Sequence, residues 1–196
     1  MDKKIKQQIK EKISKLSTYN QLAFGVMITE RFLPNYFTFY IAERWGNPMI
    51  LLNGIDLLKN IVRQESYESE ELELIDNFIE DITPDMDEFS GSLEASLALD
   101  CSSMLYDCFS FVKNKDSSHI ESCSEIAFGS LELFIQKRDN LSHELSVKEL
   151  EAYLAKDGLI QKEIEYQLNL LDELTDKKIS HKLYIEKSMN APLLKC

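Results

Sequence analysis

Apolar residues return every three or four positions, almost without interruption, from Ile5 to Leu183, and this periodicity decides what the chain can become. A half-buried strand alternates with a period of two, whereas spacings of three and four line up apolar side chains on one face of an α-helix. Four prolines and six glycines punctuate the 196 residues. They supply little turn chemistry for a many-stranded sheet, and no Pro/Gly/Ser-rich linker divides the chain. The expectation is a single all-α domain over residues 1–196, a bundle of about eight to nine helices. At 44% hydrophobic residues the chain can bury one sizeable core.

Helix-start signals divide the pattern. Ile5, Ile9, Ile13 and Leu16 mark a short first helix. Thr18 with Gln21 has capping-box form and should open a second helix through Leu22, Val26 and Met27. Pro34 lacks an N–H and its ring crowds the preceding turn, so this helix is expected to break or kink near Leu33 and resume to about Trp45. Asn47 before Pro48 starts a helix whose buried face is Leu51, Ile55, Leu58 and Val62. Leu72, Ile75, Ile79 and Ile82 carry the next, and Thr83 to Gly91 reads as a loop. The helix from about Ser92 to Lys113 is apolar on several faces and should lie at the centre of the bundle. Ser118 with Glu121 and Ser146 with Glu149 are further capping boxes, the second opening a helix that ends near Asp157 and Gly158. Ile160, Ile164, Leu168 and Leu171 give the buried face of a penultimate helix, and Ile179 and Leu183 that of a last one.

Charge is distributed unevenly. From Gln64 to Val112 there is no Lys or Arg, so that window carries −14 and the remainder of the chain +2. Such a field keeps a protein in solution, repels nucleic acid and anionic membranes, and attracts basic partners. The lysine-studded start of the chain holds no apolar run resembling a signal peptide or anchor, and a cytoplasmic location is expected. Cys101, Cys108, Cys123 and Cys196 are not at zinc-ligand spacings. Cys101 and Cys108 are two helical turns apart, too far for a disulfide, and reduced, buried thiols are the expectation.

Phosphate-cradling glycine loops, a nucleophile elbow and zincin motifs are absent, and no Glu-x-x-His pair suggests a di-iron bundle. His119, His143 and His181 fall at or near helix ends and read as surface or capping residues. Asp85, Asp87 and Glu88 resemble the start of a calcium loop but lack the glycine and later ligands it needs. No metal, cofactor or catalytic residue is therefore assigned, and a non-enzymatic role is favoured. Asp100 shares a helical stripe with Leu93, Leu97, Met104 and Phe111, with Asp107 two turns on. A carboxylate pointing into a bundle must be paired or hydrogen-bonded, and Arg31 or Tyr36 is the expected partner. The stretch Glu30 to Tyr36, ERFLPNY, reads either as an architectural kink or as one wall of a polar pocket.

Three segments carry a family resemblance: ERFLPNY at Glu30 to Tyr36; DEF at Asp87 to Phe89 followed by ALD at Ala98 to Asp100; and EIEYQLNLL at Glu163 to Leu171. In this order and spacing the chain resembles the bacterial domain-of-unknown-function family 416, the YjaG-like proteins. The resemblance implies a compact all-helical domain and no particular activity.

Two functional expectations follow. The first is an immunity or inhibitor protein that covers the active site of a basic toxin, with a nuclease the leading candidate. Its partner-binding residues would be Glu68, Glu70, Glu71, Glu73, Asp76, Glu80, Asp85, Asp87 and Glu88. The alternative is a small-molecule-binding or metabolic protein using a pocket built from Glu30, Arg31, Asn35, Tyr36 and Asp100. Neither expectation includes direct contact with nucleic acid or a membrane, and oligomeric state is left open.

Overall fold

The computed structural model describes residues 3–64, 72, 78–141 and 145–176. Among them there is no strand. Seven helices are bounded there: α1 (Lys3–Ile13), α2 (Thr18–Glu43), α3 (Pro48–Gln64), α4 (Leu93–Asn114), α5 (Ser117–Arg138), α6 (Val147–Leu154) and α7 (Gly158–Asp176). Residues 78–82 are helical as well. The all-α bundle implied by the periodicity is the observed fold. The last helix expected around Ile179 and Leu183 lies outside the described residues.

Local chemistry sets the boundaries. Ser146 and Glu149 form the expected capping box, each side chain bonding the other's backbone N–H. Pro48 is the first residue of α3, and the Asn47 side chain accepts the Met49 N–H at 3.1 Å. Ser92 caps α4 through the N–H of Ala95. Two starts are displaced from expectation. Ser17, not Thr18, caps α2, and Asp116, not Ser118, caps α5, because in each case the earlier residue has the extended backbone that a cap needs. Asp157 accepts the N–H of Leu159 at the start of α7, so Asp157 and Gly158 open a helix instead of closing α6, which stops at Leu154.

Of the break or kink expected near Leu33, the break does not occur: α2 runs as one helix through Pro34. An interior proline costs a helix about 3 kcal/mol. Against this, Phe32, Leu33, Tyr36 and Phe39 are all buried around it, at roughly 1.5–3 kcal/mol for each large apolar side chain. Burial on both sides of Pro34 therefore outweighs the lost N–H.

The centre of the bundle is shared. Helix α4 is buried from Ala95 to Val112 on several faces, as its composition predicts, but Gln21 to Thr29 of α2 are buried without a gap. The packing of α2 on α4 is the most extensive between helices, followed by α4 on α5 and α2 on α3. Helices α1 and α7 pack on each other and on α5. The loop after residue 82 is held by Phe89 of the DEF segment, whose ring meets Phe39 and Trp45 edge-on at 5.1 and 5.6 Å.

Candidate functional site

Of the polar residues expected to share one pocket, Glu30, Arg31, Tyr36 and Asp100 are each engaged by a different partner, and Asn35 is buried in α2. Glu30 pairs with Lys59 of α3. The Tyr36 hydroxyl donates to the carbonyl of Ile82 at 2.6 Å, and burial raises its pKa to about 12, so it stays a donor. Asp100 accepts from the Ser130 hydroxyl of α5, not from Arg31 or Tyr36. Asp100 and Ser130 face each other across the α4–α5 pair, whereas the α2 residues turn toward α3, α7 and the loop.

Arg31 is the member with the largest consequences. Its guanidinium forks onto both carboxylate oxygens of Glu163 in α7, at 3.0 and 2.6 Å. The same guanidinium lies over the Tyr166 ring, 3.7 Å from its centroid. Glu163 Oε1 also accepts from Gln167 Nε2 at 2.8 Å, and Gln167 Oε1 accepts from the Ser124 hydroxyl of α5. Glu163 and Gln167 are 1% and 0% exposed, so the deepest stripe of α7 carries a charge and an amide, while Ile164 and Leu168, expected to be buried there, are only partly covered. The signal available in the sequence was a glutamate and a glutamine four apart on a stripe shared with Ile160, Leu171 and Leu174, but its meaning required the cation on α2. Arg31 Nε and Asn35 Nδ2 are buried without a hydrogen-bond acceptor among the described residues.

Asp100 gives a pH signature. Burial raises its carboxyl pKa, only partly offset by the Ser130 hydrogen bond. A raised native pKa means that the folded state holds the proton more tightly than the unfolded chain. Its contribution is thus most favourable below the unfolded pKa and is lost as pH rises through the folded one. Asp100→Asn, which keeps an acceptor for Ser130, should raise the urea midpoint at neutral pH and flatten its decline as pH rises above the ordinary carboxylate range. An unchanged pH profile in the variant would assign that slope to other groups.

Between α4, α5 and the 79–85 segment runs an open groove of about 620 Å3. Glu80 and Asp85 stand on one side, and Ser103, Tyr106 and Asp107 of α4 on the other. Ile79, Pro84 and Ile126 supply its apolar surface, and no lysine or arginine lines it. Tyr106 is half exposed. Of the expected partner-binding residues, Glu80 and Asp85 line this groove, and Asp87 and Glu88 are exposed in the adjoining loop. Asp85 Oδ1 accepts the N–H of Asp87, so this carboxylate shapes its own turn. Glu68, Glu70, Glu71, Glu73 and Asp76 lie outside the described residues.

Asp107, on the groove wall, is also a partner of His119. Asn114 Oδ1 accepts the N–H of Asp116, which orients the amide so that its Nδ2 donates to His119 Nε2 at 3.1 Å. The proton of the neutral imidazole is then on Nδ1, which bonds Asp107 Oδ1 at 2.8 Å. His119 therefore ties the first turn of α5 to α4, with its Nε2 lone pair already engaged. His119 sits at a helix end, as expected, while its carboxylate partner was not anticipated. His143 and His181 lie outside the described residues. Among those described, no group of three or more His, Cys, Asp or Glu could hold a metal ion, and no helix is long and apolar enough to cross a membrane.

Comparison with known proteins places this geometry in a family without assigning it an activity. No curated protein matches the chain. The crystal structure of a DUF416 family protein from Shewanella baltica superposes with a TM-score of 0.81 at 18% sequence identity, covering 93% of this chain and 92% of that one. At that identity the likeness speaks for the fold alone. The family model described as protein of unknown function DUF416 matches residues 8–189, and the chain belongs to that family.

Proposed function

We propose that this protein is a non-enzymatic binding protein that receives a cationic segment of a partner in the groove between α4, α5 and the 79–85 segment, and that its partner is a basic toxin, a nuclease first among them, whose active site it covers. The observation that carries this reading is the groove itself: Glu80, Asp85 and Asp107 share one concave surface with exposed Tyr106, and no cation lines it. A guanidinium suits that surface on two counts, since it forks onto carboxylates and stacks on an aromatic face. A nuclease must be cationic where it holds phosphates, so its cleft is electrostatically complementary to such a groove, and association would be steered by charge. The same field disfavours nucleic acid as the direct ligand.

The test is calorimetry of the purified protein against the product of the gene immediately upstream, at low and high salt, with the nuclease activity of that product measured in parallel. Binding should be tight, inhibitory and weakened by salt. Glu80→Lys with Asp85→Lys should weaken it by about tenfold or more, mostly through the association rate and its salt dependence. Tyr106→Ala should act separately through faster dissociation. Absence of binding, or affinity unchanged by the double charge reversal, would remove the groove from consideration as the partner site.

A further inference from the structure

Helices α4 and α5 form a hairpin that turns at Lys115 and Asp116, and Cys108 and Cys123 stand at matching positions on either side of that turn. Their sulfurs are 3.8 Å apart and both side chains are fully buried. The surroundings are small. Gly25 of α2 faces the pair so closely that a Cβ there would sit 3.1 Å from Cys108 Sγ and 3.8 Å from Cys123 Sγ. The Thr29 hydroxyl is 3.7 Å from Cys108 Sγ, and the Cys123 thiol points at the Met104 carbonyl at 3.5 Å. Asp107 and Ser122, which directly precede the two cysteines, line the groove.

We propose that Cys108 and Cys123 are a redox modification site, forming an intramolecular disulfide by exchange with a low-molecular-weight disulfide of the glutathione class, and so fixing α4 against α5 behind the groove. In the first step one cysteine loses its proton to solvent and attacks a sulfur of glutathione disulfide. That S–S bond breaks, and a glutathione thiolate leaves a mixed disulfide on the protein. The second cysteine then loses its proton and attacks the protein-side sulfur, forming the Cys108–Cys123 bond and releasing the second glutathione thiolate. Two protein thiols are oxidised by two electrons in all, and one glutathione disulfide is reduced to two glutathiones.

Burial governs the rate of this exchange and contact governs its product. The hydrogen bond shared with Cys108, and then burial, push the Cys123 thiol up, and both sulfurs are shut off from solvent, so neither reacts while the hairpin is closed. The first step waits for local opening. Once the hairpin recloses, the packed surroundings leave no room for a glutathionyl group, whereas the second sulfur is already in contact. Reclosure therefore drives ring closure over retention of the adduct.

The experiment uses full-length protein with Cys196→Ser, so that the count refers to Cys101, Cys108 and Cys123. The native protein is held with glutathione disulfide, quenched in acid, denatured without reductant and alkylated before mass measurement and peptide mapping. The expected product has lost two hydrogens, carries a single alkylated thiol at Cys101, and yields one cross-linked peptide joining Cys108 to Cys123. Cys108→Ala and Cys123→Ala should each fail to give it. Full alkylation at all three positions, stable glutathione adducts, or a cross-link through Cys101 would each overturn the proposal. The mapping on the Cys196→Ser protein decides the matter even where a second substitution prevents folding.

Discussion

Glu163→Ala should lower stability by about 3–5 kcal/mol, the cost of leaving one partner of a buried ion pair uncompensated. The loss is large because Glu163 satisfies three donors at once: both nitrogens of the Arg31 fork and the Gln167 amide. Without it the guanidinium keeps only the Tyr166 face, and its side chain is 4% exposed, so water cannot replace the carboxylate. Arg31→Met alone should cost a similar amount by stranding the carboxylate. The double replacement Arg31→Met with Glu163→Met should recover most of either loss, because taking two charges out of water offsets much of what their attraction gains. Urea denaturation of Arg31→Met, Glu163→Met and the double variant measures this as a coupling energy of about 2 kcal/mol or more, beyond the range found for independent sites. Additive losses would show that each residue stabilises the fold by packing and not through the pair.

That pair also shows where sequence reasoning ends. The ERFLPNY and EIEYQLNLL segments stand out in the sequence as separate motifs, and in the fold Arg31 of one grips Glu163 of the other. Periodicity reports which face of a helix is apolar, and on α7 it points to Ile164 and Leu168. A buried charge inverts that rule, because its position is dictated by a partner 132 residues away. The same limit applies to Asp100 and Asp107. Their place on a partly buried stripe is legible, while Ser130 and His119 as their partners depend on how α5 docks on α4. Helix starts, by contrast, need only a side-chain oxygen and the N–H groups of the next turn. Ser92, Asn47 and Ser146 are accordingly correct from local sequence alone, and the errors at Ser17 and Asp116 are displacements of one or two residues. Pro34 fails in the opposite direction: the local rule is sound, but the burial around it is stronger. As for the groove, the absence of lysine and arginine between Gln64 and Val112 is visible in the sequence, whereas the meeting of Glu80 and Asp85 with Asp107 on one surface is a product of the fold.

Gly46→Ala is the second substitution with a large expected cost, about 2–4 kcal/mol, and two independent effects contribute. Gly46 has φ +83°, a left-handed conformation that costs an L side chain roughly 1–2 kcal/mol. In addition, an added Cβ would collide with the Tyr36 hydroxyl. The phenol cannot easily withdraw, since it donates to the Ile82 carbonyl, accepts the backbone N–H of Asn47, and packs its ring edge-on against Phe39 at 6.0 Å. Gly25→Ala provides the contrast: its Cβ would press on the flexible end of Ile120 and on Cys108 Sγ, but in a helix where alanine is favoured and with no left-handed backbone, so a smaller loss is expected. Tyr36→Phe separates the two contributions at Gly46. By itself it should cost about 1–2 kcal/mol, because it leaves the Ile82 carbonyl unpaired. Combined with Gly46→Ala it removes the colliding oxygen, so the double variant should be more stable than the sum of single losses predicts, by about 1 kcal/mol or more. Thermal or urea unfolding of the four proteins measures this coupling. Strict additivity would mean that backbone strain alone sets the cost at Gly46 and that the hydroxyl moves aside freely.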